Sequence, residues 1–146
     1  MNIRLATPDD SMAIHKLIAH MRNNSVNHDI VQEHVTYLAD STNGCIVLAE
    51  SENSTLGMLV VNLVRRLDYL EARIDEVVVL PEAQGQGLGT GMMKFAESWA
   101  FEHGTAKIEL TSRPSRETAN HLYQKLGYEI RETNVYVKKK ENHGPR

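Results

Sequence analysis

Apolar residues recur at helical spacing in four stretches of the chain. The first stretch follows Thr7-Pro8-Asp9-Asp10, a composition typical of a helix N-terminus. The last two end next to Gly104 and Gly127, and glycine favours a helix C-terminus. We therefore predict four helices, over residues 8–21, 28–39, 88–103 and 114–126.

Short runs rich in β-branched and aliphatic residues lie between these helices and predict strands. They cover residues 3–6, 45–50, 56–63, 72–80, 107–111, 128–131 and 135–137. The run over 72–80 is apolar on both faces toward its C-terminal end, as in a central, covered strand. The order β-α-α-β-β-β-α-β-α-β-β predicts a mixed α/β domain with helices on a largely antiparallel sheet. Residues 72–111 form its one parallel crossover.

The composition fits one folded domain without covalent or metal cross-links. Of the 146 residues, 41% are hydrophobic and 24% charged, which is enough apolar material for a core. Cys45, the single cysteine, excludes a disulfide framework within the chain and is expected in the core. The seven histidines lack the spacing of metal ligands. We predict one domain over residues 1–140, a flexible tail over 141–146, and no metal.

Charge and hydropathy argue against two classes of partner. A net charge of −3 without a basic stripe does not suit nucleic acid. The longest apolar stretch, residues 56–64, is far below the ~18 residues that a membrane span needs, and no secretory pattern opens the chain. We expect a cytoplasmic protein that binds neither nucleic acid nor membranes.

A cluster of glycines carries the strongest chemical signal. Four of the nine glycines fall in one segment, Gln84-Gly85-Gln86-Gly87-Leu88-Gly89-Thr90-Gly91. A flexible turn is one interpretation. However, the segment joins a buried strand to an amphipathic helix, so its N–H groups and the helix dipole favour an anion site, most naturally for phosphate. The spacing matches neither a Walker loop nor the dinucleotide-binding Gly-x-Gly-x-x-Gly.

The spacing does match Gln/Arg-x-x-Gly-x-Gly/Ala, as Gln84-x-x-Gly87-x-Gly89. Before it stand the acidic pair Asp75-Glu76 and three valines, and after it comes the block Ala119-Asn120-His121-Leu122-Tyr123-Gln124-Lys125-Leu126-Gly127-Tyr128. In this order the chain resembles, over nearly its whole length, the GNAT superfamily of acetyl-CoA-dependent N-acetyltransferases. The resemblance implies a central, mostly antiparallel sheet with splayed strands, flanked by helices.

The resemblance also implies a binding site for acetyl-CoA as co-substrate. The pantetheine arm would pair with the backbone of Val77, Val78 and Val79, and Asn120 would contact the same arm. The pyrophosphate would lie against the residues of the glycine segment: Gln84, Gly85, Gln86, Gly87, Leu88, Gly89 and Thr90. A backbone N–H near Val78 or Val79 would stabilise the oxyanion.

The resemblance assigns catalytic roles less completely. Tyr123 matches the family's tyrosine, which would protonate the departing thiolate, although its helical face also suits an ordinary core tyrosine. The base is left open among Glu71, Asp75 and Glu76, which also suit binding of a cationic acceptor. Alternation places Glu71 and Asp75 on one face and Glu76 on the other, unless a bulge intervenes. Arg116 stands where the family often has asparagine, which departs from its pattern.

These residues predict transfer of an acetyl group from acetyl-CoA to a primary amine of a small molecule by direct attack. Acetylation of proteins or peptides and a non-catalytic acyl-CoA-binding module are the alternatives. The acceptor would be shaped by the first two helices and by residues 64–71, where Arg65 and Arg66 either grip an anionic group or are solvated. A homodimer is compatible with the resemblance.

Overall fold

The computed structural model describes residues 1–141 of the chain. Its contacts divide the chain into two compact units, Met1–Thr111 and Ser112–Arg146. The predicted tail over 141–146 lies, apart from Glu141, outside the described residues. The prediction of a single domain over residues 1–140 stays a prediction.

A five-stranded sheet forms the centre of the first unit. Its spatial order is β1 to β5, and each neighbouring pair from β1 to β4 is antiparallel, whereas β4 and β5 are parallel. The strands are β1 (Asn2–Leu5), β2 (Gly44–Ser51), β3 (Ser54–Arg65), β4 (Leu70–Val79) and β5 (Lys107–Leu110). The predicted mixed sheet with a single parallel crossover is confirmed.

Three helices cover this sheet: α1 (Ser11–Arg22), α2 (His28–Leu38) and α3 (Leu88–Glu102). A 3₁₀ turn at Pro8–Asp10 leads into α1, and a second at Pro81–Ala83 follows β4. The helix α3 connects β4 to β5, because parallel neighbours need a crossover. Element bounds agree with the sequence predictions to within three residues in this unit.

The two faces of the sheet pack against different helices. On one face, α1 and α2 bury an aliphatic core with alternate residues of the strands: Ile14, Leu17, Ile18, Val35, Ile46, Leu48, Met58, Val60 and Val78. On the other face, α3 lies so close that a Cβ on Gly57 would be 3.0 Å from the carbonyl oxygen of Val78 and 3.1 Å from Cε of Met92. A glycine at position 57 therefore lets α3 approach the end of β4.

Arg4 on β1 forms two ion pairs at the edge of the sheet. The guanidinium of Arg4 lies 2.8 Å from Asp10 in the first 3₁₀ turn and 2.9 Å from Glu50 on β2. These contacts hold the pKa of both carboxyl groups below their ordinary values, with the hydrogen bond from Arg4 as the main cause. One side chain therefore joins β1 to the 3₁₀ turn six residues further on and to β2, which is 46 residues away.

The second unit contains the helix α4 (Glu117–Lys125), and Gly127 ends it with a φ of 95°. Predicted strands over 128–131 and 135–137 are wrong: none is formed there among the described residues. The apolar residues Ile130, Val135, Tyr136 and Val137 are 72–87% exposed. A preference for extended backbone produces a β-strand only where a second strand lies alongside and shares hydrogen bonds with it.

Residues 1–141 contain no helix that is both long and apolar enough to cross a membrane. In the same range, no cluster of three or more His, Cys, Asp or Glu side chains could hold a metal ion.

Candidate active site

The parallel pair of strands opens toward the C-terminal end of β4. Glu71–Ile74 of β4 pair with Lys107–Leu110 of β5, and within the described residues the pairing stops there. Beside the last five residues of β4, from Asp75 to Val79, the described part of the chain therefore places no strand on the β5 side. Leu80 donates to Leu56 across β3, so alternation turns the N–H and C=O of Val79 to this open side.

A β-bulge reshapes β4 at the start of the opening. Val60 of β3 lies opposite Asp75, whereas Met58 lies opposite Val78, so β4 carries one residue more than β3 over this stretch. Glu76 takes up the extra residue with a φ of 55°, a left-handed conformation that is unfavourable for a side chain other than glycine. The bulge is the stated exception to the alternation of the acids. Glu76 lies 3.7 Å from Arg22 of α1, and α1 packs on the face of the sheet that carries Val60 and its partner Asp75.

Two carboxylates beside the bulge have only long ion pairs. Asp75 accepts a hydrogen bond of 3.1 Å from the amide of Asn62 and lies 3.8 Å from the guanidinium of Arg73. Both Asp75 and Glu76 keep 36% of their side chains exposed. Their negative charge is therefore available to a cation at the open end of β4.

Glu71, the third candidate base, has a different environment. Its side chain is fully buried and one oxygen accepts a hydrogen bond from Arg66, while the other has no partner in the described structure. Arg66 reaches it from the β3–β4 turn, which a bond from the Arg66 N–H to the Tyr69 carbonyl closes. A sealed carboxylate held by a guanidinium is poorly suited to take a proton from an incoming amine.

The glycine segment forms an open turn at the head of α3. Gly85 and Gly87 have φ values of 81° and 79°, and a Cβ added to either would meet no atom within 4 Å. The amide of Gln84 donates a 3.2 Å hydrogen bond back to the carbonyl of Val79, which ties the turn to the open end of β4. The backbone of this turn is bare on the side where a ligand would approach.

The N-terminus of α3 supplies donors for an anion. Its first intrahelical bond runs from the N–H of Gly91 to the carbonyl of Gly87, so the N–H groups of residues 88–90 have no partner within the helix. No acid lies in the first turn of α3 to oppose an anion. Leu88 is 2% exposed, so only its backbone is available. The segment therefore fits a diphosphate such as that of coenzyme A.

Two predicted site residues lie in the second unit. Tyr123 on α4 is 5% exposed, and burial raises its pKa above the ordinary value while Arg116 acts weakly in the opposite direction. Its ring meets that of Tyr128 edge to face, with centroids 6.2 Å apart. Asn120 donates to the carbonyl of Arg113 at 2.8 Å, so its amide holds the loop that leads into α4.

Comparison with known proteins identifies the family. Residues 11–128 match the model of the family described as "Acetyltransferase (GNAT) family". The chain belongs to the GNAT acetyltransferases. The predicted family, fold class and enzyme class are confirmed by this match.

Relatives of this GNAT chain carry names of N-acetyltransferases. The aminoalkylphosphonate N-acetyltransferase of Salmonella typhimurium is 26% identical over 86% of this chain and 83% of its own length. The aminoglycoside N(6')-acetyltransferase type 1 of Stenotrophomonas maltophilia is 26% identical over 93% of this chain and 91% of its own. The structure of AAC(6')-Iy with a CoA-based bisubstrate analogue has a TM-score of 0.82 at 14% identity, covering 95% of this chain and 97% of that one.

The sequence analysis of this GNAT chain did not single out three residues that contact the acids at the β4 bulge. Asn62, Arg73 and Arg22 contact the acids there only because the strand register and the end of α1 place them there. The arginines that the sequence did point to are occupied otherwise. Arg65 donates to the carbonyl of Thr42 at 3.0 Å, and Arg66 donates to Glu71. No local pattern separates Arg73 from those two.

Proposed function

We propose that the protein transfers an acetyl group from acetyl-CoA to the primary amine of a small molecule by direct attack. The observation that carries this proposal is the opening of β4 beside a bare glycine turn at the head of α3. Both features lie in the first unit, and both match the needs of an extended ligand that ends in a diphosphate.

The donor would be held by backbone groups. Val77 and Val79 would offer their backbone groups at the open edge of β4 to the amides of the pantetheine arm, as a further strand would, whereas the register turns those of Val78 toward Met58 on β3. The turn from Gln84 to Thr90 would bind the pyrophosphate through its N–H groups. Bound acetyl-CoA supplies an already activated thioester carbonyl. The backbone N–H of Val79 would stabilise negative charge on the carbonyl oxygen.

The acids at the bulge would receive the acceptor. An ammonium group is attracted to Asp75 and Glu76 and must lose a proton before it can attack. Asp75 is the shorter acid and is fixed by Asn62, which suits proton removal through a water molecule. Glu76 lies at the bulge itself, and Arg22 orients it at 3.7 Å.

Tyr123 is the proposed general acid. Since burial raises its pKa, the phenol keeps its proton at neutral pH and can donate it to the departing thiolate. Asn120 is proposed to contact the pantetheine arm with the part of its side chain that the loop carbonyls leave available. The cytoplasm as location and a dimeric state stay predictions.

The acceptor is proposed to be a small molecule because both curated relatives are named for small-molecule amines. Those acceptors differ in charge: an aminoalkylphosphonate carries an anionic group, whereas an aminoglycoside is a polycation. The side chains of this chain must therefore distinguish between them.

Calorimetry and a free-thiol assay test the proposal together. Acetyl-CoA should bind with one site per chain, and an amine panel should release free coenzyme A in its presence. Asp75→Asn should lower kcat by about a hundredfold, as loss of a general base does. The exposed Glu102 at the end of α3 lies outside the predicted acceptor region and provides the control, Glu102→Gln, with unchanged turnover. Binding without turnover across the panel would indicate a binding module, and absence of binding would refute the donor assignment.

A further inference from the structure

Charged side chains of alternating sign follow one another in a row along the face of β4 that carries Asp75. Glu71, Arg73 and Asp75 are two residues apart, so they lie on the same face. Lys107 and Glu109 on β5 lie beside Glu71 and Arg73 in register. On this face β2 and β3 bury aliphatic side chains, whereas the first half of β4 carries charged ones.

Within residues 1–141, Arg73 is the cation of this row whose guanidinium makes ion pairs but no hydrogen bond. Its guanidinium lies 3.8 Å from Asp75 and 3.9 Å from Glu109, and both distances exceed that of a hydrogen bond. By contrast, Arg4 makes contacts of 2.8 and 2.9 Å, Arg66 is hydrogen-bonded to Glu71, and Arg65 to a carbonyl. A half-buried guanidinium has five N–H donors, so Arg73 can take an anion in a bidentate manner.

Asp75 places a second, opposite charge at a fixed distance. Positions 73 and 75 are two residues apart in a strand, which separates their Cα atoms by about 7 Å. Asp75 is nearer the bulge, where the acetyl group would be transferred. A ligand that meets Asp75 with its ammonium and Arg73 with an anion therefore needs a linker of two or three carbons between them.

The sign of the charges selects among amines. A simple alkylamine would compete with Arg73 for Asp75 and bring no anion in exchange, so the guanidinium would keep its 3.9 Å contact with Glu109 but lose that with Asp75. A polyamine would bring a second cation against Arg73 and Lys107, which is repulsive. A zwitterion meets Asp75 with its ammonium and Arg73 with its anion, and so satisfies both ends.

We propose that Arg73 and Asp75 select a zwitterionic acceptor, a primary amine joined by two or three carbons to a phosphonate or carboxylate. This inference rests on the proposed acetyl transfer and names its substrate class. Arg73 determines specificity by binding the anion, and Asp75 orients the amine that is acetylated.

Steady-state kinetics with four acceptors test the inference: 2-aminoethylphosphonate, β-alanine, propylamine and 1,3-diaminopropane. The two zwitterions should have kcat/KM values at least about tenfold above the monoamine and the diamine, the contribution of hydrogen bonds to a charged group. Arg73→Gln should reduce that ratio to within about threefold, and Arg73→Lys should give an intermediate ratio because it keeps charge without the planar fork. Arg65→Gln is the matched control and should leave the ratio unchanged.

Several results would overturn the inference while leaving the transferase intact. One is equal or better turnover of propylamine or 1,3-diaminopropane by the wild-type protein. Another is an equal loss for all four acceptors in Arg73→Gln or, if that variant fails to fold, in Arg73→Lys. Bound acetyl-CoA with turnover of other amines but of none of these four would do the same. Failure to bind acetyl-CoA would remove the proposed function, and this inference with it.

Discussion

The side-chain amide of Asn62 on β3 donates a 3.1 Å hydrogen bond to the carboxylate of Asp75 on β4. In the strand register Asn62 lies opposite Arg73, so this bond runs diagonally across the pair of strands. The bulge follows at once at Glu76. The bond therefore fixes the last regular residue of β4 before the strand changes its course.

Asn62→Ala tests whether this bond positions a working acid. We expect kcat to fall by about tenfold, because Asp75 would turn away from the acceptor amine. In the background of Asp75→Asn the same change should have little further effect, since the two residues act as one unit. A double-mutant cycle in kcat measures this coupling, and equal losses in both backgrounds would contradict it.

The glycine turn gives a prediction with a close control. Gly87→Ala should weaken acetyl-CoA binding by tenfold or more, because its Cβ would stand where no protein atom lies within 4 Å and the pyrophosphate is proposed to bind. Gly104→Ala carries the same kind of strain, with a φ of 88° and equally open space, but lies after α3. Both should lose about 1 kcal/mol of stability. Calorimetry should separate them, and equal affinities would argue against the turn as the phosphate site.

The strained residue of the bulge predicts an unusual order of stabilities. At a regular strand position glycine is less stable than alanine by about 0.5 to 1 kcal/mol. At position 76 the order should reverse, with Glu76→Gly more stable than Glu76→Ala by about 1 kcal/mol, because φ is 55° there. Both variants lose the contact with Arg22. The difference between their free energies of unfolding in urea therefore reports the backbone conformation alone. Activity should nevertheless fall in both variants. If Glu76→Ala were instead the more stable of the two, residue 76 would not adopt a left-handed conformation in solution.

Tyr123→Phe should lower kcat by on the order of 10- to 100-fold with a smaller change in KM, since a general acid acts in the transition state. Burial raises the pKa of Tyr123 above its ordinary value of 10.0, so the phenol stays protonated across the neutral and mildly alkaline range. In the wild-type protein we therefore expect no loss of kcat from this group across that range. Tyr37→Phe, at a half-exposed site on α2, is the control. A kcat equal to wild type in Tyr123→Phe would remove this residue from the acid role.

The Arg4 contacts predict how stability depends on pH. Asp10 and Glu50 have pKa values below their ordinary 3.8 and 4.5. Their contribution is therefore present above those values and is lost as the pH falls through the lower, folded-state values. Arg4→Gln should cost about 1 to 2 kcal/mol at pH 7 and progressively less below pH 4. Urea unfolding of the wild-type protein and of Arg4→Gln at pH 7 and below pH 4 measures this difference in stability. Arg65→Gln, which loses a bond to a carbonyl, should show no such dependence, and a constant loss in Arg4→Gln would contradict the prediction.

Much of the first unit follows from local sequence signals. The glycine turn was predictable because positive φ at Gly85 and Gly87 needs a residue without a Cβ, and glycine supplies it visibly. The opening of β4 followed from the family resemblance and from a valine run that suits a central strand. Chain order and helix caps sufficed for the rest of this architecture.

Other features depend on which strands meet. Glu76 gives no sign in the sequence that it adopts a left-handed conformation, because the bulge arises only when β3 and β4 pair with unequal numbers of residues. Arg73 was not distinguished from Arg65 and Arg66 for the same reason, since its partners lie on other strands or beside the bulge. Residues 128–137 show the converse: their β-branched composition predicted strands, but a strand also needs a neighbour.

Burial of Cys45 has a practical consequence for every kinetic test above. The side chain is 4% exposed, and burial raises its pKa to about 12. Chromogenic disulfide reagents react with thiolates, so the folded enzyme should contribute no background colour. Since this is the single cysteine of the chain, the enzyme adds no thiol to the coenzyme A that is counted, and a slow rise in a blank of enzyme alone, without acetyl-CoA, would report denaturation of the enzyme stock.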